Sequence, residues 1–382
     1  MSYATGRVYC DADSHLMETP DWLAGYADPP LRERLLPLSL GKAGGAPERK
    51  IADALARVRD PAATDKIAHN VISGPKGWGA YGAFAAAERS KALDDLGFSR
   101  QLVFTTFAAS QFLWSEDANV VYGGIRAHNR AIGDFCSADK RLIPVGMLSL
   151  EHPARALAEI DEALKCKVGA FWVCAAPVGD KSPGHPDFDP IWRRLAETGI
   201  PFVLHIGLGT QVLPKAYQNN GKPLPKDIHG GGENIRVKDY MVLSFAPQMF
   251  LSALVFDGVF DRFPQLRGGA IELGASWVPE LLQRLDRGAR LFAKADPNLG
   301  ALSLRPSDYI RRQFKFTPFP GEDVGRLVQE VGADLFMFSS DYPHPEGTED
   351  PIGRFEKTLA DLSEDEKNRF YSKNFETMMG IC

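Results

Sequence analysis

Short apolar runs of strand length recur along the chain, separated by stretches whose apolar residues return every three or four positions. The first pattern marks strands, the second marks helices that cover one face, and their alternation predicts a parallel α/β sheet. Eight runs qualify: RVYCDAD (7–13), RQLVFTTF (100–107), RLIPVGML (141–148), VGAFWVCA (168–175), IPFVLHI (200–206), LRGGAIEL (266–273), QFKFTPF (313–319) and ADLFMFSS (333–340). No GxGxxG turn follows the first run, so eight strands at this spacing over 382 residues predict a (β/α)8 TIM barrel rather than an open doubly wound sheet.

Between the runs, ARALAEIDEALK (154–165) and DPIWRRLAETG (189–199) carry the helical spacing, and Gly199 suits a helix C-terminus. The stretch 363–380 reads as a closing helix with Ser363 as N-cap and Glu366 completing a capping box. Two connections are too long for ordinary βα loops, 16–82 after the first strand and 207–245 after the fifth. Both leave C-terminal strand ends and are expected to be long structureless insertions that roof a site. No linker or internal repeat divides the chain, so residues 1–382 are expected to form one domain.

Composition narrows the function. With 44% hydrophobic and 24% charged residues the chain is globular, and a formal charge of −5 leaves no basic excess for a phosphate backbone, so nucleic acid is not an expected partner. Nowhere are there 18 consecutive apolar residues, and the N-terminus lacks an apolar signal core, so no membrane association is expected. Cys10, Cys136, Cys166, Cys174 and Cys382 are widely spaced with no CxxC pair, as for reduced thiols of a cytoplasmic protein.

Three strand ends carry candidate chemistry. Period-two geometry sends Asp11, Asp13 and His15 to one side of the first strand. Such a row inside a barrel is costly unless it binds something. His205 ends the fifth run and Asp341 the eighth. Taken singly, these are a capped turn, a core histidine and an Asx turn; together they share the C-terminal face on which barrel active sites are built. Asp13, His15, His205 and Asp341 are therefore read as ligands of one divalent metal ion. Two imidazoles with two carboxylates suit zinc, manganese or iron and are too nitrogen-rich for calcium.

The segments DADSHLMETPDW (11–22), HPDFDPIWRRLAETGIPFVLHIG (185–207), GVFDRFPQLRGGAIELGASWVPELLQRLDR (258–287) and SSDYPHPEG (339–347) resemble the amidohydrolase superfamily. The resemblance is to its amidohydrolase-2 branch, which includes aminocarboxymuconate-semialdehyde and γ-resorcylate decarboxylases. It implies the same four ligands and a homodimer or larger assembly. Position 13 is often His or Glu in that family; Asp13 is a shorter, harder ligand that shifts preference from zinc toward manganese. Where the better-known decarboxylases have a histidine near the end of strand six, this chain has Glu272, read as an acid/base or ligand-orienting group.

His229, in the second long connection, is a further candidate imidazole for the site, and His344 a candidate for orienting Asp341. His69, His128, His152 and His185 are assigned no role. Trp22, Phe107, Phe112, Trp114 and Trp172 either flank a flat substrate or pack the core, while Arg49, Arg57 and Arg59 either clamp a carboxylate or lie on the surface. Two reactions fit. In one, a small aromatic or unsaturated carboxylic acid loses carbon dioxide after Asp341 protonates the ring carbon. In the other, Asp341 deprotonates a metal-bound water that attacks an amide, ester, lactone or activated carbon–carbon bond. The resemblance favours the first.

Overall fold

Side-chain alternation along the strands separates two apolar layers. In a computed structural model the described residues are 2–38, 47–68, 70–223 and 235–381. They include eight strands: β1 (Cys10–Asp11), β2 (His15–Leu16), β3 (Arg100–Thr105), β4 (Leu142–Leu148), β5 (Ala170–Val173), β6 (Phe202–His205), β7 (Gly268–Ile271) and β8 (Phe314–Phe316). Every pairing is parallel, in the order β1-β3-β4-β5-β6-β7-β8, with β2 also on β3. Leu102, Phe104, Val145, Met147, Ala170, Trp172 and Val203 form one cluster with Cys10, Ala12 and Ile271. Their neighbours Val103, Phe171, Val173, Phe202 and Leu204 join another, which includes Ile160, Trp192, Leu195 and Leu251 from the covering helices. Period-two geometry thus gives the sheet an inner and an outer face.

The predicted first strand is broken into β1 and β2, and 333–340 is not a regular strand, although it lies where the sequence pattern put it. Phe336 bridges Phe316, Met337 N donates to Phe316 O at 2.9 Å, and Ala12 N donates to Phe338 O at 3.1 Å. Asp341 N continues the seam by donating to Asp13 O at 2.9 Å. The sheet therefore curls until its first and last strands share this segment as a neighbour.

Helices cover the outer face, among them Ala118–Cys136, Pro153–Lys165, Asp189–Thr198 and Val278–Phe292. Asp189–Thr198 ends at Gly199 in the left-handed conformation (φ +71°), as its sequence predicts. The Ser363–Glu366 capping box is present, but the final helix runs through a π-helical turn at Arg369–Lys373 instead of staying regular. The long connections are not structureless: the first holds helices Pro47–Val58 and Pro61–Ala68, the second Val237–Val242. Among the described residues one helical stretch, Val237–Phe256, is long and apolar enough to cross a membrane by length and composition. Phe250, Leu251, Leu254 and Val255 of that stretch are buried in the outer layer.

Lys315 sits between outward-facing Phe314 and Phe316, and its side chain is buried. Burial lowers its pKa to about 8, opposed by the charge of Asp334. Below that pH the folded state holds a desolvated charge. Between about pH 8 and the unfolded value near 10.4 the unfolded chain binds more protons, so stability rises with pH. Lys315→Met should therefore resist urea unfolding better than wild type at pH 7, by about 1–3 kcal/mol, with the gain shrinking as pH rises to 10. A gain equal at both pH values would contradict this account.

Candidate metal centre

The break between β1 and β2 decides which acids reach the interior. Asp11 does not join Asp13 and His15 there, contrary to the alternation expected of an unbroken strand. Its carboxylate accepts from Ser340 N (2.7 Å), Ser340 Oγ (2.6 Å), Gln101 Nε2 (2.7 Å) and Asp13 N (3.3 Å). Those bonds turn Asp11 away from the inner face that Cys10 and Ala12 share.

Inner-face parity on β6 carries Val203 and, two residues on, His205. His205 Nδ1 lies 3.0 Å from Ile206 O, which turns Nε2 toward Asp13 Oδ1 at 3.3 Å and Glu272 Oε2 at 3.4 Å. His15 Nε2 stands 3.2 Å from Asp13 Oδ1 and 3.5 Å from Asp341 Oδ1. Asp13, His15, His205 and Glu272, all buried, bring four ligand atoms within 4.8 Å of one another. A second group within the same limit, His15, Asp341 and His344, shares His15 with the first.

His344 supports Asp341 from behind: its Nδ1 is 3.0 Å from Asp341 Oδ1, its Nε2 is 3.0 Å from Thr106 Oγ1, and its ring stacks on His15 at 3.9 Å. Glu272 and Asp341 both have φ +53°, a left-handed conformation that residues with a Cβ rarely adopt. Such positions cost on the order of 1–3 kcal/mol and persist where the surroundings over-determine them. Glu272 belongs to the tight group and Asp341 to the adjoining one that shares His15.

Electrostatics match this crowding. Burial pushes Asp341 up to about 7, with the negative charge of Asp13 adding to it and His344 opposing it. Burial, reinforced by His344, pushes His15 down to about 3, so its imidazole is neutral and able to offer a lone pair. Burial works to raise Asp13 as well, but His205 and His15 outweigh it and hold the carboxyl below the usual range.

The donor set fits a divalent cation. Asp13 Oδ2 and His15 Nδ1 are buried without a hydrogen-bond partner among the described residues, and carboxylates this close repel unless positive charge lies between them. Two imidazole nitrogens with carboxylate oxygens suit zinc, manganese or iron.

Of the residues singled out in the sequence, Asp13, His15 and His205 converge as expected, and Asp341 with His344 adjoins them through His15. Glu272, expected to be an acid/base or orienting group, lies among the ligand atoms themselves. His229 falls outside the described residues. Of the five aromatics only Trp172 meets the cluster, its ring 5.0 Å from His205; Trp114 is 65% exposed, and Phe107 stacks on Trp78. Arg57 is held by both oxygens of Glu88, while Arg49 and Arg59 are exposed.

Sequence reasoning missed Phe104, 4.4 Å from His205, which the parity of β3 could have revealed. It also missed Glu18. That carboxylate accepts from the backbone N–H groups of Thr106, Phe107 and Ala108, pinning the β3 exit that supplies Thr106 to His344. Nothing local in the sequence marks it.

A model of the amidohydrolase family matches residues 10–380. The chain belongs to that family. A γ-resorcylate decarboxylase from Rhizobium sp. (strain MTP-10005) is 25% identical over 232 residues, 57% of this chain and 65% of the relative. The chain thus matches just under two thirds of that relative's length. Among solved structures, an amidohydrolase from Mycobacterium avium subsp. paratuberculosis K-10 superposes with a TM-score of 0.74 at 22% identity, covering 99% of this chain and all of the other. A 5-carboxyvanillate decarboxylase from Novosphingobium aromaticivorans DSM 12444, solved with manganese and 4-hydroxy-3-methoxy-5-nitrobenzoic acid, has a TM-score of 0.62 at 19% identity, covering 98% of this chain and 96% of that one. At these identities the two structures show a common fold.

The amidohydrolase centre should bind about one manganese or zinc ion per chain, measured by elemental analysis after reconstitution and desalting. Saturation at about 100 times the dissociation constant should stabilise the fold by about 2.7 kcal/mol. His205→Ala should abolish both effects, and a variant that kept full stoichiometric binding would remove His205 from the ligand set.

Proposed function

We propose that the chain is a metal-dependent decarboxylase of a small aromatic or unsaturated carboxylic acid. A closed (β/α)8 barrel in one domain spanning residues 1–382, and a homo-oligomeric assembly, belong to the same proposal. One observation carries it: a buried set of imidazoles and carboxylates that needs a cation, with a further carboxylate, Asp341, raised to about 7 at its edge. The decarboxylase names of a relative and of a structural neighbour support the reaction type, and the neighbour's manganese supports that ion.

Asp13, His15 and His205 hold the ion, with Glu272 as the fourth member of the tight group. Asp341, which the sequence counted both as a ligand and as the proton-transfer acid, takes the second role in this reading. When bound, the ion supplies positive charge that draws in the substrate's carboxylate or a neighbouring hydroxyl. Asp341, whose protonated form burial favours, gives its proton to the carbon that bears the carboxylate. A carbon–hydrogen bond forms as the acid's O–H bond breaks. The carbon–carbon bond to the carboxylate then breaks, its electrons return to the ring, and carbon dioxide leaves. Asp341 regains a proton from water.

His344, bonded to Asp341 and to Thr106, fixes the direction in which that acid points. Trp172 and Phe104, packed against His205, line the inner face with apolar surface that keeps water from the reacting carbon.

Enzyme loaded with manganese or zinc should release carbon dioxide from hydroxybenzoates, followed by trapping the gas. Asp341→Asn should lower kcat by roughly 10²–10⁴-fold while metal content stays near wild type. Turnover confined to esters or amides would replace decarboxylation with metal-dependent hydrolysis.

A further inference from the structure

The helical stretch Val237–Phe256 has two unlike faces. Ala246, Phe250, Leu251, Leu254 and Val255 are buried in the outer layer. On the other side Val237, Met241, Phe245 and Met249 recur every four residues, and together with Tyr240 they are 52% to 75% exposed. Residues four apart lie one above another on a helix, so these side chains form an apolar stripe about 18 Å long. The stretch breaks briefly at Leu243 and Ser244, and the exposed positions keep their step on both sides of the break. At its far end the tip of the Phe256 ring lies over Gly288 of helix Val278–Phe292. One turn further along that helix Leu291 and Phe292 are exposed as well.

The stripe carries no charge of its own, because residues 240–256 contain no Asp, Glu, Lys or Arg. The two charged residues at its start are already engaged. Lys238 Nζ donates to Tyr217 O at 2.6 Å, and Asp239 Oδ2 accepts from Gln218 Nε2 at 3.0 Å and from Arg236 N at 3.1 Å. A helix that rests on an anionic lipid surface borders its apolar face with several lysines and arginines, whereas Lys238 is the single cation between positions 237 and 256. Large side chains that are half exposed leave roughly 100 Å² each in water, so these five leave on the order of 500 Å² per copy. A contiguous apolar patch of that extent marks an interaction surface. Two such patches face to face remove about 1,000 Å² from water, the least that a specific interface needs, before Leu291 and Phe292 add to it.

We propose that this stripe is the contact between two copies of the chain, packed antiparallel about a two-fold axis near Leu243. The inference rests on the homo-oligomeric reading for the identity of the partner. The spacing is self-complementary: such an axis sets Met241 of each copy against Phe245 of the other, and Val237 against Met249. A thioether against an aromatic ring is a favourable pairing, and the aliphatic pair buries apolar surface on both sides. The contact also backs onto the metal centre's surroundings, since Tyr240 packs on Phe319 at 5.9 Å and Phe319 covers Gly274, two residues after Glu272.

Sedimentation velocity of manganese-loaded enzyme over a dilution series reads the assembly directly. Wild type should contain at least two chains. Phe245→Glu and Met241→Glu should each halve the mass at the same concentrations, the contact weakening by at least roughly 30-fold, as for a central interface residue. Trp114→Glu, which alters an exposed aromatic outside the stripe, should leave the assembly as it is in wild type. A wild type that is monomeric throughout overturns the proposal and the homo-oligomeric reading with it. Glutamate variants that both assemble like wild type overturn the proposal alone and place the contact elsewhere. Flotation of the wild-type chain with phosphatidylcholine vesicles would instead assign the stripe to a lipid surface. Urea unfolding of each variant checks that it is folded.

Discussion

The hydrogen bonds of buried Asp11 hold together the parts on which the site depends. One carboxylate accepts from Gln101 on β3, from Ser340 on the segment that closes the curl, and from Asp13 on its own strand. Gln101 passes the connection on, since its Oε1 accepts from the buried guanidinium of Arg89, which also donates to His15 O and lies over the Tyr342 ring at 5.1 Å. A buried charge left without partners costs several kcal/mol, so the positive and negative members of this network are retained together. The result is positional: the network grips Asp13 and His15 directly and holds Ser340 and Tyr342 on either side of Asp341.

Above that base the fold tolerates conflict. Asp13 and Glu272 crowd one volume around two imidazoles, Asp341 adjoins it through His15, and Glu272 and Asp341 both adopt left-handed backbone angles. Like charges at such distances are reconciled by a proton or by a cation. In the proposed reading both remedies have a place: protonation at Asp341, at the edge, and a divalent ion among Asp13, His15, His205 and Glu272. On that reading proton delivery and metal binding fall to different residues.

The first long connection forms a cavity with the turn that follows Asp341. Its helix Pro47–Val58 is tied down through Arg57 and Glu88, and its Gly77 bonds to the exit turn after Asp341. These ties are structural, and they set Trp78 and Lys76 facing His344 across the cavity. A segment remote from Asp341 in sequence is thereby fastened to the turn that follows it.

The alternation of apolar runs and amphipathic stretches made the parallel α/β sheet legible, and the polar residues ending three of those runs located the centre, because strand period and strand polarity are local properties of the chain. Asp13, His15, His205 and Asp341 could be read for that reason, and Gly199 and the Ser363–Glu366 cap likewise. What the tertiary structure alone decided were the contacts made between distant segments. Asp11 left the site for Ser340, Glu272 moved among the ligand atoms, Glu18 caught the amides at the β3 exit, and Lys76 came to face His344. Each depends on a partner roughly 90 to 330 residues away or on a backbone angle set by the whole curl, and no local pattern of hydrophobic and polar positions encodes such a meeting.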